Sequence, residues 1–221
     1  MHPLDDWSIP PGVMSEPHTK ERILDAAEAL MWEKSFHSVG LNEILKAVGV
    51  PKGSFYHYFE SKEHFGVELL KHYIAEATEG KTQALLTAEI EADPIERLLL
   101  YLATTVTTFQ ENGGKCPCLV LKLASEVTSL SEAMREVLAE GMPVWMGILE
   151  GVFDEAKTSG KIPASVDSAA EAALVRDLWA GAIQRSTISQ SPEPMQVALD
   201  FLRKHFASLE NCPDTANTAS R

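Results

Sequence analysis

The chain has 221 residues, 45% of them apolar, enough for one sizeable core or for a small module joined to a larger one. No apolar run approaches the ~18 residues that span a bilayer, and the opening MHPLDDWSIPPGVMSEP lacks the basic start and apolar stretch of a signal peptide, so a soluble, cytoplasmic protein is expected. A net charge of −13 argues against a nucleic-acid partner only if it is spread evenly; from Leu41 to Lys62, Lys46, Lys52 and Lys62 outnumber Glu43 and Glu60, which puts a locally basic tip on an acidic body.

Residues 1–17 carry Pro3, Pro10, Pro11 and Pro17 without periodicity and are expected to form a disordered arm. From Thr19, a plausible N-cap, Ile23, Ala26, Ala27, Leu30 and Met31 recur at three- and four-residue spacing and predict a helix ending near Ser35. A second helix is predicted from Leu41 to Val48, with Gly40 before it, Glu43 in its first turn and Ile44, Leu45 and Val48 facing inward. Gly49 supplies the left-handed residue that stops it. Val50 and Pro51 turn the chain into a third, short helix over Lys52–Phe59, and Ser61 caps a fourth over about Lys62–Lys81. Further helices are expected at about 94–112, 117–128, 131–159, 167–189 and 192–208, with breaks at Asp93-Pro94, Asn112-Gly113-Gly114, Ser129, Ser159-Gly160 and Ser191-Pro192. No strand-like alternation persists, so the fold class is all-α, and the tail from 209 to 221 is expected to be flexible.

The sharpest local signal is helix, glycine turn, short helix within Leu41–Phe59. A helix-turn-helix needs one helix to brace another across a short turn. Phe55 and Phe59, at i and i+4, face inward; Lys52, Ser54, Tyr56, His57 and Tyr58 are distributed around the other sides. Ammonium, hydroxyl, imidazole and phenol groups on an exposed helix suit phosphate oxygens and groove edges, and Lys62 can add a phosphate contact at the start of the next helix. The same aromatic cluster is also compatible with a protein-interaction patch.

The stretch TKERILDAAEALMWEKSFHSVGLNEILKAVGVPKGSFYHYFESKEHF resembles the DNA-binding domain of the tetracycline-repressor (TetR) family along its whole length. The resemblance implies an N-terminal three-helix helix-turn-helix domain (18–64) followed by a larger helical domain for effector binding and dimerisation (65–208). It places Lys52, Gly53, Ser54, Tyr56, His57, Tyr58 and Lys62 at DNA-contact positions, with Asn42 adding one from the preceding helix. Ser35 stands where the family often has a helix-ending glycine, which implies mild strain or a shifted cap, and the arm lacks the basic residues used by many relatives. The implied partners are a palindromic double-stranded operator, a small-molecule effector and a second copy of the chain. The last two long helices of each subunit would meet through Ala169, Ala172, Ala173, Val175, Leu178, Ala180, Ala182 and Ile183, and through Val197, Ala198, Phe201, Leu202, His205 and Phe206, unless those stripes pack within one subunit.

Three cysteines, Cys116, Cys118 and Cys212, are too few and too unevenly placed for a disulfide scaffold. Pro117 suits the first position of a helix. Cys118 would then lie in the first turn near the positive dipole end, with Lys122 one turn on and Lys115 close by, a setting that favours thiolate. The alternative is a small buried hydrophobe, the usual state of a free cysteine. CxC spacing without further ligands does not make a zinc site, and neither metal nor cofactor is expected. The runs CLVLKLASEVTSLSEAMREVL and LVRDLWAGAIQRSTISQSPEPM resemble the branch of the family that contains the N-ethylmaleimide-reductase repressor and acrylate-responsive repressors. That likeness makes Cys118 the candidate electrophile sensor and Cys116 an additional thiol; Thr187 and Thr128 stand where relatives carry a lysine and a second cysteine. Trp145, Trp179, Gln184 and Arg185 are further candidates for the effector site, where a non-covalent hydrophobic or carboxylate ligand is the alternative occupant. An enzyme using Cys118 as nucleophile is disfavoured because no histidine motif supplies a base.

Overall fold

The computed structural model describes residues 16–87 and 91–211; the remainder, including most of the expected arm, the end of the expected tail and Cys212, lies outside the described residues. Within them the chain is all-α: α1 (Glu16–Glu33), α2 (Leu41–Val48), α3 (Lys52–Tyr58), α4 (Lys62–Leu86), α5 (Pro94–Glu111), α6 (Leu119–Leu130), α7 (Glu132–Thr158), α8 (Ser168–Ser189) and α9 (Glu193–Glu210). No helix among the described residues is long and apolar enough to cross a membrane.

Caps explain most boundaries. Gly49 stops α2 at φ 69°. The Ser61 hydroxyl accepts from the His64 amide, and the Asp93 and Asp167 carboxylates accept from the first amides of α5 and α8. Five expectations shift. The first helix begins at Glu16, so Thr19 lies inside its first turn instead of capping it; a proline such as Pro17 is tolerated there because its missing amide has no helical partner. At the other end of this helix Ser35 causes no left-handed strain, since Gln190 is the non-glycine residue with positive φ among those described. The fourth helix continues past Lys81 because Leu85 still buries its side chain in the core. The break after α6 falls at Ser131, not Ser129: its hydroxyl accepts from the Met134 amide at 3.2 Å and donates to Glu63 at 2.5 Å. The last helix reaches Glu210, beyond the expected start of the flexible tail.

The apolar residues form two clusters. One joins the end of α4 to α5, the second half of α7, α8 and α9. The other joins Ile23, Leu45, Phe55 and Phe59 of the first three helices and their flanks to Leu119, Leu123 and Val127 of α6 and to Met134 and Leu138 of α7. The N-terminal helices therefore share a packed interior with α6 and α7. Fully buried Arg97 closes the far end: Nε and Nη1 each donate at 2.8 Å to the Leu85 and Glu91 carbonyls, and Nη2 pairs with Glu155.

Candidate nucleic-acid interface and internal cavity

Seven residues are too few to hold a helix in isolation, so α3 depends on what it is packed against. Phe55 and Phe59 are 4% and 0% exposed. Their rings lie 4.8 Å apart and meet Phe65 of α4 at 5.3 and 5.1 Å between centroids. With that face fixed, Lys52, Gly53, Tyr56 and His57 are turned to solvent, Tyr56 with 56% of its surface exposed. Ser54 and Tyr58 are half-buried, and the Tyr58 ring packs on the N-terminal cluster, so the three consecutive aromatic side chains do not all point outward. The Lys52 ammonium stands 6.0 Å from the Tyr56 ring centroid. Asn42 on α2 is exposed. Lys62 is exposed too, but its ammonium donates to the His37 carbonyl at 3.2 Å and lies over the Phe36 ring.

The α6 helix is tied directly to this unit. Lys122 donates to the Met31 and Trp32 carbonyls at the end of α1, at 2.7 and 2.5 Å. One turn further on, the Glu126 carboxylate accepts from the amides of Phe36 and His37 at 3.1 and 2.7 Å. Lys115 pairs with Glu33. Two charged residues at i and i+4 thus hold the last carbonyls of α1 and the first free amides beyond it, groups that a helix end otherwise leaves to water.

At the N-terminal end of α6 is a cavity of about 180 Å³. Cys118 lines it together with Tyr73, Lys81, Tyr101, Trp145 and Trp179. The α6 helix begins at Leu119, later than Pro117 suggested, so Cys118 is its N-cap residue, in extended backbone conformation and half-buried. The Leu119 amide donates to the Tyr73 hydroxyl at 3.1 Å, fixing the cap against α4. Burial pushes the Tyr73 phenol up and takes Tyr101 up to about 12, so both are neutral donors at physiological pH. The Trp145 indole donates to the Thr78 hydroxyl at 2.8 Å, and the Lys81 ammonium sits 4.0 Å from the same ring's centroid. Burial lowers the Lys81 pKa, and the nearby Cys118 sulfur acts in the opposite direction.

Of the residues expected to sense an effector, Cys118, Trp145 and Trp179 line this cavity. Lys122 does not, because the end of α1 engages its ammonium; the sequence-based placement beside Cys118 is corrected. Cys116 is half-buried and donates weakly to the Cys118 carbonyl at 3.4 Å, with burial the chief cause of its raised pKa, and Thr187 lies beside it. Gln184 and Arg185 are exposed and absent from the lining, since the apolar face of α8 is the one carrying Trp179, Ala182 and Ile183. Sequence reasoning missed Tyr73, Lys81, Tyr101 and Arg176, which also lines the cavity and lies beside Asp177, 2.7 Å away, and Met142. No local motif marks any of them; they come together only through the packing of α4, α5, α7 and α8.

Two family models match the chain, one described as bacterial regulatory proteins of the tetR family over residues 23–69 and one as a tetracyclin repressor-like C-terminal domain over residues 94–202. The HTH-type transcriptional repressor NemR of Escherichia coli strain K12 is 34% identical over 194 residues, which is 88% of this chain and 96% of that protein. The transcriptional regulator AcuR of Cereibacter sphaeroides is 34% identical over 176 residues, 80% of each. The crystal structure of the reduced form of E. coli NemR superposes with a TM-score of 0.75 at 34% identity, covering 84% of this chain and 96% of that one.

Proposed function

The chain belongs to the TetR family of bacterial regulatory proteins, and on that premise we propose that it is a DNA-binding transcriptional repressor whose grip on a palindromic operator is released by a small molecule sensed at Cys118. It is a regulator and not an enzyme, as its relatives are. The observation that carries the reading is α3, anchored on one side by Phe55 and Phe59 and presenting Lys52, Tyr56 and His57 to solvent on the other. Segment 18–64 reads DNA and 65–208 takes the effector and the second subunit, in the cytoplasm and without a metal or cofactor. The contact set is Asn42, Lys52, Gly53, Ser54, Tyr56, His57 and Tyr58, with Lys62 joining it by exchanging the His37 carbonyl for a phosphate.

A homodimer is supported by the exposed apolar side chains of α8 and α9: Leu174, Ile188, Val197 and Phe201 are between 38% and 83% exposed in the single chain. Two copies of α3 would then meet successive major grooves about 34–36 Å apart.

Effector at Cys118 acts on the N-cap of α6. The Tyr73 hydroxyl passes any shift of that cap to α4, while Lys122 and Glu126 pass it to the end of α1 and the turn beyond. Driving occupancy from 99% to 1% requires ~5.5 kcal/mol of preference for the released state, which a covalent adduct at Cys118 supplies readily.

Gel shift with DNA upstream of the chain's own gene tests the reading surface. Tyr56→Ala should abolish the shift while leaving dimer and melting temperature unchanged, and retained binding would remove α3 as the reading element. Cys118→Ser should bind DNA normally and ignore N-ethylmaleimide; a mutant that still lets go would assign sensing elsewhere.

A further inference from the structure

Of the side chains around the cavity, two are cationic and none is a carboxylate, among the described residues. Arg176 has Asp177 beside it. Lys81 has no carboxylate partner among the described residues; its ammonium is held against the Trp145 face, and that indole is itself pinned by Thr78. A half-buried ammonium with only a ring for company is under-compensated, because an aromatic face replaces part of its hydration but none of its counter-charge. Burial lowers its pKa, and no carboxylate among the described residues opposes the shift. The opposing influence comes from the Cys118 sulfur, which puts the two groups within electrostatic reach across one space.

Size narrows the ligand further. A cavity of 150 Å³ is filled by a molecule the size of benzene, so 180 Å³ holds a short chain or single ring of roughly six to eight heavy atoms. Aromatic and aliphatic walls cover its apolar part, and Tyr101 offers a neutral hydroxyl.

We propose that Lys81 is the charge-selecting residue of the cavity, so that the effector is a compact organic anion seated with its anionic group on the Lys81 ammonium and its other end at Cys118. This rests on the reading of the cavity as the effector site, and it adds a specificity that the cysteine alone does not have.

Iodoacetate and iodoacetamide are matched probes, nearly equal in size and differing in charge. With each, the Cys118 thiolate forms a sulfur–carbon bond as the carbon–iodine bond breaks, iodide departs and the thiol proton goes to solvent. Rates are followed on the full-length protein by peptide mass mapping, which separates Cys118 from Cys116 and Cys212. The ratio of the iodoacetate rate to the iodoacetamide rate at Cys118 should fall by about tenfold in Lys81→Met, as expected for losing one close, partly desolvated counter-charge, and return in Lys81→Arg. An unchanged ratio in Lys81→Met overturns the proposal. So does failure of both reagents to modify Cys118 in the parent protein, because small solutes then do not reach the cavity. Charge-selective alkylation without release of DNA would instead leave the role of Lys81 standing and remove Cys118 as the sensor.

Discussion

Replacing Glu126 with alanine should uncouple the Cys118 cavity from the helix-turn-helix unit. In the parent chain this carboxylate accepts two backbone amides, Phe36 at 3.1 Å and His37 at 2.7 Å, both in the segment between α1 and α2. Hydrogen bonds to charged groups contribute about 1.5–3 kcal/mol when shielded. His37 is exposed and its amide can turn to water, so about 1 kcal/mol per bond is the fitting figure. The loss of ~2 kcal/mol from the coupling free energy corresponds to roughly 30-fold. The quantity to measure is the ratio of operator Kd values before and after complete alkylation of Cys118, by fluorescence anisotropy at one fixed salt concentration. That ratio should shrink by roughly 30-fold in Glu126→Ala, while the rate of alkylation stays the same because Glu126 does not line the cavity. A ratio within twofold of the parent's would refute Glu126 as the connecting contact and leave Lys122 at the end of α1 and the Tyr73 contact with α4 as the routes.

Lys52→Ala should flatten the dependence of log affinity on log salt by ~0.9, one phosphate's worth, in titrations spanning low to physiological salt; an unaltered slope would mean that Lys52 does not touch the backbone of the duplex. Phe201→Glu puts a carboxylate on the exposed face of α9, twice over in a symmetric pair, and should convert a dimer to monomers in sedimentation at micromolar concentration. A surviving dimer would move the interface off α9. Arg97→Leu leaves the Leu85 and Glu91 carbonyls without their donor and should cost about 2–4 kcal/mol of stability, read from denaturant unfolding; a midpoint like the parent's would show that water replaces the guanidinium.

The helix-turn-helix elements were legible because everything defining them is local. Gly49 needs positive φ, Phe55 and Phe59 must share a face, and the remaining side chains of so short a helix have few places to go. The cavity was legible only at Cys118 and the two tryptophans. Lys122 looked like a neighbour of Cys118 because one helical turn separates them in sequence. Its nearest acceptors are carbonyls on α1, and no local pattern announces a contact between α6 and α1. Gln184 and Arg185 fall outside the cavity for a different reason: α8 is rich in small residues on several sides, so its periodicity does not single out the buried face. Lys81 lies in a polar run of α4 that reads as a solvated surface until α7 brings Trp145 beneath it.

Why a change at one cap should move an entire domain, instead of being absorbed, follows from how closely α4 is approached. At Gly66 there is no room for even a Cβ: it would overlap Met134 Cε at the start of α7 and lie 2.7 Å from Phe36 Cζ. The same Phe36 gives its amide to Glu126. Gly66 is thus a point of close approach between α4, α7 and the α1–α2 turn, and closely packed interiors move between discrete arrangements more readily than they deform. A cap displaced at Cys118 shifts α6 either together with the end of α1 and Phe36, which Lys122 and Glu126 hold, or by breaking those contacts, and Phe36 moves against Gly66 of α4 and Met134. The apolar interlock predicts a collective response, with the two charged residues of α6 setting how strongly the helix-turn-helix is included in it.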